Sequence, residues 1–365
     1  MILTKHDIDR LMAICKLLPE KNIRNLGSVG SIWFNGLRWC AQGDNGVYIE
    51  FATENTDPEW PEFVGIEWKL LYEFLKNARL SEMQMEYEPD KLVFKWERGS
   101  WAVPIILKEA EPKREIVIGD TIYEGSRYDL KDALHTISWA MEKKVESSFK
   151  GVWLDAREYA VATNGLVLAC AELPGVSRSG FIHATGVKFL LSYPWTFDNI
   201  QVALNAAEEG VIISDNYNRV LTPICFNFPE TWHSIAFQER KFKLTFKAQE
   251  FIDTFNECAK IVKTINGAVL LRSVNETTID ITYLDECWNT RGNTQISVSS
   301  YDVDKLEQIC FNPELFAKWL KLIPKDAEFI FLEYSDSYSS IKISHDSLNR
   351  DFVVVMPIRY QPPQN

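Results

Sequence analysis

Trp101-Ala102-Val103-Pro104-Ile105 returns as Val220-Leu221-Thr222-Pro223-Ile224, and again as Val354-Val355-Met356-Pro357-Ile358. Each is an apolar run broken by Pro, the residue that interrupts a ladder and so marks where a strand leaves its sheet. The copies stand about 120 residues apart, and what precedes each copy repeats as well. Thr4-Lys5-His6-Asp7 and Ser126-Arg127-Tyr128-Asp129 both fit a capping box, in which a hydroxyl and an acid three residues later satisfy free amides at a helix start. Apolar residues follow at helical spacing: Ile8, Leu11, Met12 and Cys15, then Leu130, Leu134, Ile137 and Met141. The third unit repeats the rhythm with Phe251, Phe255, Cys258 and Val262 behind a weaker cap. A glycine-led strand comes next in each unit, at Gly30-Ser31-Ile32-Trp33-Phe34, Gly151-Val152-Trp153-Leu154 and Gly267-Ala268-Val269-Leu270-Leu271. The spacing predicts a second helix over Glu67 to Ala78, Ala184 to Tyr193 and Pro313 to Leu322, with Pro313 suited to a first turn. Hairpin turns are expected near Glu97-Arg98-Gly99, Asp215 to Asn218 and His345 to Arg350. Two helices and several antiparallel strands per unit make an α+β fold. Charge-rich stretches, Glu109 to Gly125 and Phe237 to Lys243, divide it into three domains, 1–120, 121–240 and 241–365. Gene duplication without a shared function is the plainer explanation of such a repeat.

The 365 residues are 46% hydrophobic, which is enough for two or three domains with real cores. A net charge of -12 argues against a protein that simply coats nucleic acid. No apolar run is long enough to span a membrane, and Lys5, Asp7, Asp9 and Arg10 make the start unlike a signal peptide. Seven scattered cysteines without CxxC spacing read as buried thiols in a reducing cytoplasm. The five histidines show neither HxxxH nor HExxH spacing, so no metal or other cofactor is expected. Gly175-Val176-Ser177-Arg178-Ser179-Gly180 lacks the spacing of a nucleophile elbow, and Gly27-Ser28-Val29-Gly30 is too short for a phosphate loop. The chain is therefore expected not to be an enzyme. An α+β hydrolase is the competing catalytic reading.

Two longer stretches carry a resemblance. Ala162-Thr163-Asn164-Gly165-Leu166-Val167-Leu168-Ala169 and the closing Phe352-Val353-Val354-Val355-Met356-Pro357-Ile358-Arg359 resemble the middle-domain and C-terminal motifs of the DNA polymerase III beta subunit family, the bacterial sliding clamps. Ile137-Ser138-Trp139-Ala140-Met141, Phe228-Pro229-Glu230, Phe311-Asn312 and Ser339-Ser340-Ile341 agree with the same family, and the likeness covers the whole length. It implies three clamp-type domains per chain, and a head-to-tail homodimer closed into a ring with helices lining the hole. Such a processivity factor encircles duplex DNA and tethers the replicative polymerase and the clamp loader through short peptide motifs. A clamp-like peptide-binding hub that is not loaded on DNA is the alternative within the fold.

A ring of this kind should have helices less acidic than its outside. The six expected helical segments together carry +5, leaving -17 for the rest of a chain whose net charge is -12. Lysines near helix C-termini explain part of that imbalance on their own. The remainder suits a hole that attracts phosphates. Lys21, Arg24, Lys69, Lys76, Arg79, Lys143, Lys144 and Lys321 are the candidate DNA-facing residues. Their contacts would be to the backbone and independent of base sequence.

The resemblance further implies a peptide pocket. Carried over by motif, it would use Phe149, Thr163, Gly165, Leu166, Val167, Leu168, Pro229, His233, Ser234, Asn312, Leu315, Tyr338, Ser340, Met356, Pro357, Ile358 and Arg359. Apolar walls, an adaptable Met and a few polar groups suit anchor side chains. For Leu168, and for Ile341 beside the set, plain core packing is an equal reading. Relatives carry His-Arg where this chain has Leu166-Val167, and Arg where it has His233, so a more apolar and less cationic pocket with an altered peptide preference is expected. The Gln361 to Asn365 tail could lie over the rim. For the ring joint, edge strands of the first and third domains should pair, with Trp101, Ile261 and Val262 as apolar contacts; a core role for Trp101 competes.

Overall fold

The computed structural model describes residues 1–17, 30–43, 47–60, 63–78, 81–106, 114, 116–142, 150–207, 209–223, 228, 231–301, 308–348 and 350–360. In chain order the first stretch has β1 (Ile2–Leu3), α1 (Lys5–Leu17), β2 (Ser31–Phe34), β3 (Arg38–Gln42), β4 (Tyr48–Ala52), β5 (Val64–Glu67), α2 (Trp68–Ala78), β6 (Met83–Glu88), β7 (Lys91–Trp96) and β8 (Gly99–Pro104). Next come β9 (Ile118–Ser126), α3 (Arg127–Ile137), β10 (Gly151–Asp155), β11 (Tyr159–Thr163), β12 (Val167–Glu172), β13 (Gly180–His183), α4 (Ala184–Ser192), β14 (Asn199–Asn205), β15 (Val211–Ser214) and β16 (Asn218–Thr222). The last stretch has α5 (Trp232–Ala236), β17 (Phe242–Lys247), α6 (Ala248–Ile265), β18 (Ala268–Asn275), β19 (Thr278–Leu284), β20 (Thr290–Ser297), β21 (Ser300–Tyr301), β22 (Ile309–Phe311), α7 (Ala317–Leu320), β23 (Phe329–Tyr334), β24 (Ile341–His345) and β25 (Phe352–Val355). The three Pro-ended runs are β8, β16 and β25 with the residues that follow them.

The capping box expected at Thr4 forms in full, and at Ser126 its hydroxyl half forms. Thr4 Oγ1 accepts from the Asp7 amide at 3.3 Å while Asp7 Oδ2 accepts from the Thr4 amide at 3.1 Å. At α3, Ser126 Oγ accepts from the amides of Tyr128 and Asp129. The helical stripes face inward: Ile8, Leu11 and Cys15 are buried, as are Leu130, Leu134 and Ile137, and Phe251, Phe255, Cys258 and Val262. Two expectations need correction. Met141 lies beyond α3, which ends at Ile137 and passes into a 3-10 turn over Ser138–Ala140. The helix expected over Pro313 to Leu322 is a 3-10 turn, Pro313–Leu315, followed by the short α7. The break falls at Phe316, whose φ of -121° is not helical. Its fully buried ring packs against Phe255 and Phe311, and that burial outweighs the loss of helical hydrogen bonds there.

The contacts divide the chain into two compact units. Unit 1 comprises Met1–Lys131 and Gly175–Phe226; unit 2 comprises Asp132–Pro174 and Asn227–Asn365. In unit 1 a four-stranded antiparallel sheet has the order β1–β6–β7–β8, and an eight-stranded one runs β5–β2–β3–β4–β16–β15–β14–β9. In unit 2 the corresponding sheets run β20–β19–β18–β22 and β10–β11–β12–β25–β24–β23–β17–β21. Each long sheet thus joins strands from distant parts of the chain: β4 to β16 in unit 1, with Tyr48 opposite Leu221, and β12 to β25 in unit 2, with Val167 opposite Val355. These junctions put a late Pro-ended strand beside an early hairpin, and the second of them builds the candidate site. No helix among the described residues is long and apolar enough to cross a membrane.

Candidate peptide-binding site

The β11–β12 turn is built by its own side chains. Asn164 Oδ1 accepts from the amides of Leu166 and Val167, both at 3.0 Å. Thr163 Oγ1 donates to the Val167 carbonyl at 2.8 Å and accepts from the Gly165 amide at 3.0 Å. Gly165 takes φ of +86°, which a side chain would strain. The turn leaves Leu166 56% exposed at its tip. There the Leu166 carbonyl accepts from the Met356 amide at 3.0 Å, so the chain leaving β25 is tied to the turn. Pro357 ends that strand. The next amide, Ile358, donates to the Cys310 carbonyl at 2.7 Å, and Ile358 and Tyr360 pack on the cluster Ala268, Leu270, Leu284 and Cys310.

Between this turn, β25 and α5 lies a cavity of about 120 Å³ lined by Thr163, Gly165, Leu166, Val167, Leu168, Thr231, Trp232, Ile235, Val354 and Met356. None of these side chains is ionisable. Six of the residues expected from sequence meet here: Thr163, Gly165, Leu166, Val167, Leu168 and Met356. Leu168 is both core and wall, being 7% exposed, while Ile341 is fully buried core. Thr231, Trp232, Ile235 and Val354 were not singled out by the sequence reading. Val354 lay within the quoted closing strand, and its alternation with Met356 was the available signal. For Trp232 and Ile235 five residues are too few for a helical period to show, and the only pointer was the neighbouring His233 and Ser234, which the resemblance had placed in the pocket.

Arg240 holds α5 in place. Its guanidinium donates to the carbonyls of Ile235 (3.0 Å), Ala236 (3.3 Å) and Gln238 (3.0 Å), occupying the helix C-terminus. Burial lowers its pKa from the usual arginine value. Trp232 packs in turn on Tyr159 and Phe237.

A second cavity, of about 250 Å³, is lined by Trp139, Met141, Glu142, Asn164, Glu314, Leu315 and Lys318. Asn164 belongs to its lining and Gly165 and Leu166 to the first cavity's, so one turn borders both. Leu315, expected in the pocket, lies in this second cavity, next to the turn that Asn312 caps by accepting from the Glu314 amide at 2.8 Å.

The remaining expected residues are placed separately. His233 is half-buried on α5 with its ring 4.7 Å from that of Phe237, and Ser234 is exposed. Ser340 is buried and accepts from Gln238 Nε2 at 2.8 Å. Tyr338 is exposed, with the Arg359 guanidinium 6.0 Å over its ring. Phe149 and Pro229, the DNA-facing candidates Lys21, Arg24, Arg79, Lys143 and Lys144, and the Gln361 to Asn365 tail lie outside the described residues. Lys69 and Lys76 are exposed on α2, and Lys321 is exposed just after α7. Trp101 is half-buried on β8, its ring stacked 4.3 Å from Phe74. Ile261 is half-buried on α6, but Val262 is fully buried, so its side chain serves the core and has no surface for a second chain.

Among the described residues no group of three or more His, Cys, Asp and Glu is arranged to hold a metal. No protein-family model matches the sequence, and no curated protein matches it. Solved structures do. The chain is similar over 99% of both lengths to the DNA polymerase III beta subunit of Thermotoga maritima, with a TM-score of 0.83 at 17% identity. It is similar to a Pseudomonas aeruginosa sliding clamp bound to griselimycin, with a TM-score of 0.79 at 16% identity over 99% of each chain. It is also similar to a Helicobacter pylori beta clamp bound to a DNA ligase peptide, with a TM-score of 0.76 at 16% identity, over 99% of this chain and 100% of that one. The chain has the fold of the bacterial beta sliding clamps.

Proposed function

We propose that the chain is a DNA sliding clamp. In this reading three clamp domains, 1–120, 121–240 and 241–365, pair head to tail with a second copy and close a ring around duplex DNA in the cytoplasm. The protein performs no chemistry; it keeps a polymerase on its template by topology. Partners, including the polymerase and the clamp loader, dock short peptides into the cavity beside Leu166 and Met356. That cavity carries the reading, because it is concave, apolar and built from the motifs that a ligand-free core would not need to leave open. The likeness to a clamp bound to a ligase peptide supports it.

The ring joint would form between β8 of one copy and β20 of the other. Each is the last strand of its four-stranded sheet and has unpaired backbone groups to offer. Trp101 and Ile261 would supply apolar contact there. The exposed Lys69, Lys76 and Lys321 would contact phosphates loosely enough to permit sliding. Light scattering over a concentration series tests the ring: a particle of twice the 42.1 kDa chain mass is expected. Retention on nicked circular DNA, lost when the circle is cut, tests the topology. A monomer at every concentration that binds clamp-type peptides would replace the ring with the hub reading.

A further inference from the structure

The two cavities beside the Asn164-Gly165-Leu166 turn differ in one respect that bears on which peptides fit. The first has no ionisable side chain in its lining. Of its polar side chains, Thr163 has its Oγ1 already bonded to the Val167 carbonyl and the Gly165 amide. A carboxylate brought into that space would lose water and meet no cation, which costs more than leaving an uncharged side chain there. The second cavity holds Glu314 of the 3-10 turn and Lys318 of α7, both exposed. Neither lies within ion-pair distance of another described residue, and Glu142 adds a further carboxylate to the lining. A ligand charge of either sign meets an opposite charge there while still in contact with water.

We propose that the turn sorts the ligand by charge, and that Leu166 is the specificity-determining residue. This rests on the peptide-site reading above. The ligand is a short segment of a partner protein whose apolar anchors enter the first cavity with only uncharged residues between them. Charged residues are tolerated on the Asn164 side alone. Leu166 and Met356 form the lip of the first cavity, exposed by 56% and 39%, and are joined through the Met356 amide. Leu166 is the lip residue whose side chain can be exchanged for a cation without disturbing buried packing. A guanidinium there would supply the counter-charge that the cavity lacks.

The test is fluorescence anisotropy at pH 8 with short fluorescein-labelled peptides that share two apolar anchors. They differ by Ser or Asp, either between the anchors or outside them. Asp between the anchors is expected to weaken binding by about tenfold or more relative to Ser, equivalent to about 1.4 kcal/mol. Asp outside the anchors should change it by less than about threefold. Leu166→Arg should bring the inner-Asp peptide back to within about threefold of the Ser peptide, without tightening the Ser peptide. Equal binding of the two inner peptides to the wild type overturns the proposal, as does an Asp penalty that survives in Leu166→Arg. Met356→Asp separates the two levels of the argument. If every peptide binds that variant as it binds the wild type, the site itself is elsewhere and both readings fall.

Discussion

In unit 1 the ring of Tyr48 stands where unit 2 has Val167. The positions correspond through register: Tyr48 is opposite Leu221 and Val167 opposite Val355, and Leu221 and Val355 each precede a proline by two residues, Pro223 and Pro357. Tyr48 packs into a cluster with Trp33, Cys40, Ile212 and Leu221, closed over by Phe63, Ile106 and Ile116. At the matching place in unit 2 the smaller Val167 faces α5 across the 120 Å³ cavity. The same sheet order therefore yields a filled junction in one unit and an open one in the other. Whether such a junction keeps a cavity is a matter of side-chain volume and of what the connecting segment lays over the sheet, not of topology.

The ends of the two long sheets differ as well. In unit 1 a buried polar group gathers around Arg10, fully buried and 3.7 Å from the equally buried Asp7. Arg10 donates to Thr196 Oγ1 and, at 3.2 Å, to the Ala52 carbonyl. Asn218 donates to Thr196 and Asp215 and accepts from the Tyr193 hydroxyl at 2.9 Å. In unit 2 the corresponding β24–β25 end buries Asp351, which accepts from Trp319 Nε1 and bonds His345 Nε2, each at 2.8 Å, while the exposed Arg350 lies 3.7 Å from Glu172. Unit 1 commits a buried charge pair where unit 2 uses a smaller set.

The largest effect should come from breaking the first of these. Arg10→Ala leaves Asp7 buried without its cation and is expected to cost about 3–5 kcal/mol in urea unfolding. A cost below about 1 kcal/mol would mean that the network is incidental. The next contrast lies between two turns of like sequence, Asn35-Gly36-Leu37 and Asn164-Gly165-Leu166. Both glycines have φ of +86°, and both asparagines accept from the amides of the residues two and three positions later. A Cβ at Gly165 meets nothing within 4 Å, whereas at Gly36 it would run into the Asp57 carbonyl and Trp60. Gly165→Ala should therefore cost only the backbone strain, about 1–2 kcal/mol, and Gly36→Ala distinctly more. Thermal melts of the pair decide it, and equal costs would show that Gly36 can move.

Making unit 2 resemble unit 1 is the sharper functional test. Val167→Phe should fill the cavity and weaken peptide binding by about tenfold or more, roughly 1.4 kcal/mol. Unchanged affinity in a titration would separate the cavity from the binding site. The smallest expected effect is acidic. Burial, then the Arg10 charge, lowers the pKa of His6 from 6.5. The folded state thus favours the neutral ring, so this contribution is present above pH 6.5 and is lost as the pH falls through the lowered value. Relative to His6→Gln, the wild type should lose melting temperature on acidification below pH 6.5. Parallel curves for the two proteins would remove His6 from the account.

Much of this was legible in advance. The caps at Thr4 and Ser126, the buried stripes of α1, α3 and α6, and the β25 strand with its Pro357 exit follow from local patterns that one segment carries by itself. Six cavity residues were reachable through two short motifs. Trp232 and Ile235 were not, because α5 is too short to show a period and is fixed by Arg240, whose role depends on carbonyls it meets only in the folded chain. Val262 looked like a surface contact in sequence because apolar periodicity names a stripe without saying which of its members stays accessible. The break at Phe316 escaped for a related reason: Pro313 and the apolar residues after it allow a helix, and only the aromatic partners Phe255 and Phe311 decide against one.

The sequence by itself determined the repeated α+β units, the helix starts and inward faces, and the two motifs that meet at the candidate site. Those depend on neighbours a few residues apart, where backbone hydrogen bonding and alternation leave little choice. Tertiary structure alone decided that β12 pairs with β25 and β4 with β16. It also decided that one junction is filled by Tyr48 while the other stays open under α5. The physical reason is that an apolar residue declares only that it will be buried. Whether it closes a space or lines one depends on the volumes brought against it from elsewhere in the chain.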